Sequence, residues 1–401
     1  MKFRKDILFF LVFFLIFYLE PTYILGIKFA VLWKFFLFLY IIIKYKNNFK
    51  PKDKISKYGY LYTFKNLFNL SSIRYPIQNV YHTIVIFNFP FLYNWLRNNF
   101  AEKKLLQLIK KLSIFVIVSS VPFHMHIIEP LGTGMTISTF RRYAGGIDAG
   151  FVGIFQNAHA AAIITSFAVI NLIFFYKIEK KNIYMLISSL GVINIYLTFV
   201  RTGYVMLVVG LLFFIYIGTN YIQKIKAFVL VIVAIFTFIY FANTDLLINR
   251  LFNISKYNPS SQTINYDPEA ISSGRTLFWA INIAEWWNAD YAVKVLGLGE
   301  EVARENMERT IGLRIFSHNG FVDSFIENGI IGLLLFLGMF FYILKLVIKN
   351  KSSTYFSLVS TSALMFFFMN IFQGGFYFLM DLLLALNFAL VNITKIRPHK
   401  M

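Results

Sequence analysis

The sequence predicts an all-α, polytopic integral membrane bundle of about twelve spanning helices, with one long extracytoplasmic loop carrying amphipathic helices. Three observations predict it. Apolar residues make up 58% of the 401, with 48 Phe, and only 14% are charged. A globular domain holds roughly 45–50% apolar residues, so a chain this apolar needs lipid as part of its solvent. The apolar residues fall into stretches of spanning length, and the basic residues fall in short runs between them.

Eleven stretches carry the first pattern: Ile7–Leu19, Tyr23–Ile43, Val80–Leu96, Leu112–Ile128, Phe151–Tyr176, Ile183–Val200, Tyr204–Ile217, Ala227–Ala242, Gly329–Ile348, Tyr355–Phe372 and Phe376–Val391. The N-terminus, basic over Met1–Asp6, resembles a signal peptide. Glu20 and Pro21 follow its apolar run where a small-residue cleavage site would stand, so a retained span is expected. Tyr58–Ile73 is weaker, because it holds Lys65 and several Asn.

Charge argues for that twelfth span. With it, and with both termini cytoplasmic, the inside segments hold 25 of the 39 Lys and Arg. Without it, the basic runs Lys44–Lys57 and Arg97–Lys111 fall on opposite sides. The expected organisation is a bundle over residues 1–242, an extracytoplasmic loop over 243–328 and further membrane helices over 329–401. The same arrangement explains the net charge of +20 without nucleic acid. The absence of Cys excludes disulfides, thiolate metal sites and Cys nucleophiles.

The loop Asn243–Asn328 holds 11 of the 19 acidic residues. Ser273 is placed to cap a helix starting near Gly274. Leu277, Phe278, Ile281 and Ala284 share one face of that helix, and Trp279, Trp286 and Trp287 suit the membrane interface. Gly297 and Gly299 predict a turn, and a second helix is expected from Ser317 into the next span.

Some polar residues stand out. Arg201 lies between two spans joined by almost no loop, at the outer mouth of the bundle, and a guanidinium is the fork that grips phosphate. Arg275 falls in the first turn of the loop helix, where an anion would compensate its charge. His318 stands where a helix begins, which favours a neutral imidazole able to act as a base. Arg142 and His159 flank the start of the sixth span as further substrate contacts. Asp381 falls inside the last span, and Lys28 and Lys34 in the second, where snorkelling accounts for the lysines. His124 and His126, two apart, face different sides of a helix and make a poor metal pair.

Gly274-Arg275-Thr276-Leu277-Phe278-Trp279, Leu296-Gly297-Leu298-Gly299, Ser317-His318-Asn319-Gly320 and Glu327-Asn328-Gly329-Ile330-Ile331-Gly332-Leu333 follow Arg201 in that order. Over Arg201–Leu335 this pattern resembles the O-antigen polymerase and O-antigen ligase superfamily. Asn157 resembles the family's motif before a mid-chain helix, with His159 where the family more often has Asn or another small polar residue.

The resemblance implies a cofactor-free, metal-independent glycosyltransferase of the bacterial inner membrane, with its active site on the periplasmic or extracellular face. Its donor would be an undecaprenyl-diphosphate-linked oligosaccharide, with a chain-length regulator and a flippase as partners. Arg201 and Arg275 would grip the diphosphate, His318 would serve the acceptor hydroxyl, and Arg142, His159 and Asn319 would touch substrate. The expected activity is polymerisation of repeat units into O-antigen, capsule or exopolysaccharide. The alternative is a ligase moving finished glycan to lipid A core, as in lipopolysaccharide, or to another acceptor. A transporter or flippase is the third reading, and it lacks the internal repeats and broken mid-membrane helices of that class.

Overall fold

The computed structural model describes residues 2–24, 27–45, 50–132, 150–198, 200–218, 275–312, 314–315, 317–374 and 377–393. The span Ala227–Ala242, the capping residue Ser273 and the candidate Arg142 lie outside the described residues. What is described is helical apart from one small hairpin. Three helical stretches are long and apolar enough to cross a membrane: Glu102–His124, Ala158–Glu179 and Gly320–Lys349. At 1.5 Å per residue the shortest of these reaches ~33 Å, against a hydrocarbon core of about 30 Å. Five shorter apolar helices accompany them.

The chain begins with α1 (Lys2–Tyr18). The expected span from Tyr23 does not start there. Tyr23–Ile24 (β1) and Ile27–Lys28 (β2) pair antiparallel, and α2 runs over Phe29–Tyr45. Lys34 does not snorkel. It is buried in an ion pair with Glu20 at 2.6 Å.

Tyr58–Ile73 is not one continuous helix. It divides into α3 (Lys54–Lys65) and α4 (Leu70–Arg74), broken where Asn66 ends the first and Asn69 caps the second. Twelve residues rise only ~18 Å, so α3 alone falls short of the hydrocarbon thickness. Lys65, buried, donates to the carbonyls of Leu296 and Phe68, so its charge serves the junction with the loop.

Next come α5 (Pro76–Asn99), α6 (Glu102–Val118) and the short α7 (Val121–His124). Then follow α8 (Ala158–Glu179), α9 (Asn182–Thr198) and α10 (Arg201–Gly218). Helix α8 is buried on nearly every side, as its evenly apolar sequence requires. It packs against α6, α9 and α10. Buried amides stitch the bundle: Asn387 donates to Asn171 at 3.0 Å and Ser362 at 2.9 Å, and Asn171 donates to Ser113 at 3.1 Å. Such bonds stabilise helix contacts where apolar burial cannot discriminate protein from lipid. Outward faces carry exposed Leu8, Phe36, Ile43 and Phe341, as a lipid-facing surface does.

The loop region forms α11 (Arg275–Asn288), α12 (Tyr291–Leu296) and α13 (Glu300–Ile311), the last not expected from the sequence. Its buried line on α11 is Phe278, Asn282 and Trp286, while Leu277 and Ala284 are exposed. Trp286 is a core residue whose ring is tilted against Phe325, centroids 4.2 Å apart, and of the tryptophans expected at the interface Trp287 is the exposed one.

Helix α14 (Gly320–Lys349) starts three residues after Ser317 and breaks at Gly329, whose φ is +65°. The chain closes with α15 (Phe356–Phe372) and α16 (Phe378–Ile393). The break in α14 frees two carbonyls. Ile326 and Glu327 accept from the N–H groups of Leu298 and Gly299, both at 2.9 Å, while Leu70 and Ser71 donate to Gly297 and Leu298. The segment 297–299 is thereby clamped between α4 and the α14 kink. A Cβ on Gly297 would lie 2.2 Å from the Glu327 carbonyl oxygen, so the clamp closes only on glycine.

Candidate functional site

A cavity of about 430 Å³ opens between the loop helices and the bundle. Its lining comes from α1, α2, α3, α5, α8, α13, α14, α16 and the turn between α15 and α16, so no single segment could form it.

His318 lines it from the turn before α14. The local fold there is built by side chains. Asn319 is the α14 N-cap, and its carboxamide oxygen accepts from Phe321 at 3.0 Å and Val322 at 3.1 Å. Asp323, one turn later, accepts from both the backbone and the hydroxyl of Ser317. Between these anchors His318 takes a left-handed φ of +57°, uncommon outside glycine. One imidazole N–H donates to the Gln373 carbonyl. Burial, the Arg275 charge and neighbouring His159 hold His318 down at about 4. Its neutrality therefore has causes other than the helix N-terminus expected from the sequence.

Arg275 is the first residue of α11, and its guanidinium donates to the Phe372 carbonyl. Burial and the neighbouring charge of Arg201 lower its pKa from the ordinary arginine value. Arg201 opens α10. Arg275 is thus electrostatically coupled to Arg201, His159 and His318. His159 lines the cavity from the first turn of α8, and its buried Nδ1 has no hydrogen-bond partner.

Two of the residues singled out in the sequence, His159 and His318, therefore line the cavity, and both feel the charge of Arg275, which Arg201 neighbours. Asn319 adjoins them chiefly as a helix cap. His124 and Asp381 belong elsewhere. His124 hydrogen-bonds Asn194 at 2.7 Å and stacks on Phe151, and Asp381 is wholly buried in α16. A guanidinium near a neutral imidazole lets one site hold an anion and accept a proton.

A second group in the lining was not singled out. His82, on α5, bridges Glu300 and Glu327, the latter at 3.1 Å, and Arg304 meets Glu300 at 2.8 Å. Burial pushes the Glu300 carboxyl up, but His82 and Arg304 outweigh it and leave the group below the usual carboxylate range. Asp323 and Glu327, four apart on α14, complete this acidic wall. One signal did exist: an ionisable residue inside an expected span, as His82 is, is a functional candidate by default.

A search of curated proteins finds no match to the chain. Residues 183–337, from α9 through the loop helices into α14, match the O-antigen ligase family, a likeness that points to a glycan-processing membrane protein.

Proposed function

We propose that the protein is a glycosyltransferase that polymerises polyprenyl-diphosphate-linked oligosaccharide repeat units on the outer face of the inner membrane. The observation that carries this reading is a neutral His318 in the cavity lining under the charge of Arg275, which in turn feels the charge of Arg201. The acceptor hydroxyl gives its proton to the ring nitrogen of His318 that does not face Gln373. Its oxygen attacks the anomeric carbon of the donor and forms the new glycosidic bond. The bond from that carbon to the diphosphate oxygen breaks, and the anomeric centre inverts. Negative charge growing on the leaving diphosphate is met by Arg201 and Arg275, in a poorly hydrated site where electrostatics are strong.

The acceptor is the next lipid-linked repeat, so each turnover lengthens the chain and releases one polyprenyl diphosphate. A chain-length regulator and a flippase would act with it, one setting length and the other supplying donor. The family description favours a second reading, in which finished glycan passes to lipid A core or another acceptor. The size distribution of lipid-linked glycan in a deletion strain separates the two. Single repeats in the deletion, with a ladder on restoring the gene, support polymerisation. Long chains accumulating on the carrier overturn it in favour of ligation.

A further inference from the structure

His159 lines the cavity and takes no part in the chemistry above. Its place is fixed by the start of α8. The Asn157 side chain caps the Ala160 N–H at 2.8 Å, which sets His159 in the first turn of the helix. Gln156, Asn157 and Ala160 line the cavity with it, so this turn is part of the cavity wall.

The same turn lies against the start of α10. Ala158 and Ala162 form a small buried cluster with Val200, the residue before Arg201. Gly203 comes closer still: a Cβ there would lie 2.5 Å from that of Ala162. The start of α10, where Arg201 stands, is thereby packed against the start of α8. The Arg275 charge acts on His159 as well. Positive charges at this end of the bundle select an anionic group as the one that settles beside His159, and the oxygens of an anion only accept.

The ring is set to donate. Of its two nitrogens, Nδ1 is enclosed and has no hydrogen-bond partner. A proton there would make an orphaned buried N–H, which is rarer than an orphaned acceptor. The proton therefore sits on Nε2, at the tip of a half-buried ring that reaches the cavity. His318 is the opposite case. Its N–H is taken up by the Gln373 carbonyl, which leaves a lone pair to accept. One imidazole in the lining takes a proton, and the other offers a hydrogen bond.

We propose that His159 is a further ligand of the leaving diphosphate, donating its Nε2–H to a phosphate oxygen beside Arg275. This rests on the glycosyl-transfer reading above. No proton is transferred in the contact. The bond tightens as the anomeric carbon–oxygen bond breaks and charge builds on the diphosphate.

Two readouts test it. Glutamine carries an N–H donor at about the reach of Nε2, and asparagine only at that of Nδ1. A hydrogen bond to a charged group is worth roughly ten-fold or more in rate. Acceptor-dependent release of polyprenyl diphosphate should therefore be roughly ten-fold faster in His159→Gln than in His159→Asn or His159→Phe. Asn matching or exceeding Gln, or Phe matching Gln, overturns the proposal. The second readout is NMR of the ring nitrogens in the unaltered full chain, with isotope-labelled histidine, in lipid nanodiscs. The His159 signals are those missing from the variants. Inorganic pyrophosphate should shift its Nε2 signal with the proton on that nitrogen, and methyl glucoside should leave it in place. A proton on Nδ1, or no response to pyrophosphate, overturns the proposal. A pyrophosphate contact at His159 without acceptor-dependent release would sink the transfer reading and leave the contact standing.

Discussion

The indole N–H of Trp279 donates to the carbonyl of Ser317 at 2.7 Å. Trp279 lies one turn after Arg275 on α11, and Ser317 directly precedes His318, so this single bond ties the arginine helix to the histidine turn. Trp279→Phe keeps the ring and removes the donor. A lost hydrogen bond of this kind costs about 1 kcal/mol, which corresponds to roughly five-fold in rate if it is felt in the transition state. Release of polyprenyl diphosphate should fall by that order, with the protein still folded by size-exclusion chromatography.

The pH profile reports on His318. Its pKa is held at about 4 by burial and by Arg275, against about 6.5 for a free imidazole. The base is unprotonated above the lowered value, so the acid limb of kcat/KM should fall near pH 4–5. A limb near 6.5 would contradict the geometry. The sign for stability follows the same shift. The unfolded chain binds a proton at His318 that the folded chain refuses, so stability should decline as pH falls from about 6.5 to about 4 and level off below.

His82 separates Glu300 from Glu327. His82→Phe leaves two buried carboxylates facing each other, and breaking a buried pair costs about 3–5 kcal/mol. Folded yield in detergent should collapse. Adding Glu300→Gln and Glu327→Gln should restore a substantial part of it, because the charge rather than the missing ring does the damage.

Gly297 and Gly312 both have positive φ, +88° and +72°, but differ in ψ, 164° and 11°, and in surroundings. At Gly297 a methyl meets the Glu327 carbonyl oxygen at 2.2 Å, while at Gly312 nothing lies within 4 Å. Gly312→Ala should cost about 1 kcal/mol of strain. Gly297→Ala should open the clamp on α14 and lower the thermal midpoint far more. Equal midpoints would show that the clamp does not hold the loop.

The membrane class and the charge relations among Arg201, Arg275, His159 and His318 were legible because each left a local mark. Hydropathy marks a spanning helix within its own window, and Arg201, Arg275 and His318 each sit in short motifs at helix starts. The acidic wall was not legible, because His82, Glu300 and Glu327 come from three helices and meet only after α14 breaks at Gly329. Counting charge over whole segments also favoured a continuous span at Tyr58–Ile73 despite Lys65 and its Asn residues, where Asn66 ends one helix and Asn69 caps the next. Trp286 looked interfacial for another reason. Amphipathic rings suit a lipid headgroup layer and a protein core equally, and its contact with Phe325 is long-range.

The most direct measurement is acceptor-dependent release of polyprenyl diphosphate by the purified chain and by Arg275→Ala, with Arg309→Ala as a control on the exposed face of α13. Removing one preorganised partner of a developing charge typically costs about 10²–10³ in rate. We predict a loss of at least a hundred-fold for Arg275→Ala and near-unaltered release for Arg309→Ala. Undiminished release by a folded Arg275→Ala would contradict the assignment of the diphosphate to this site.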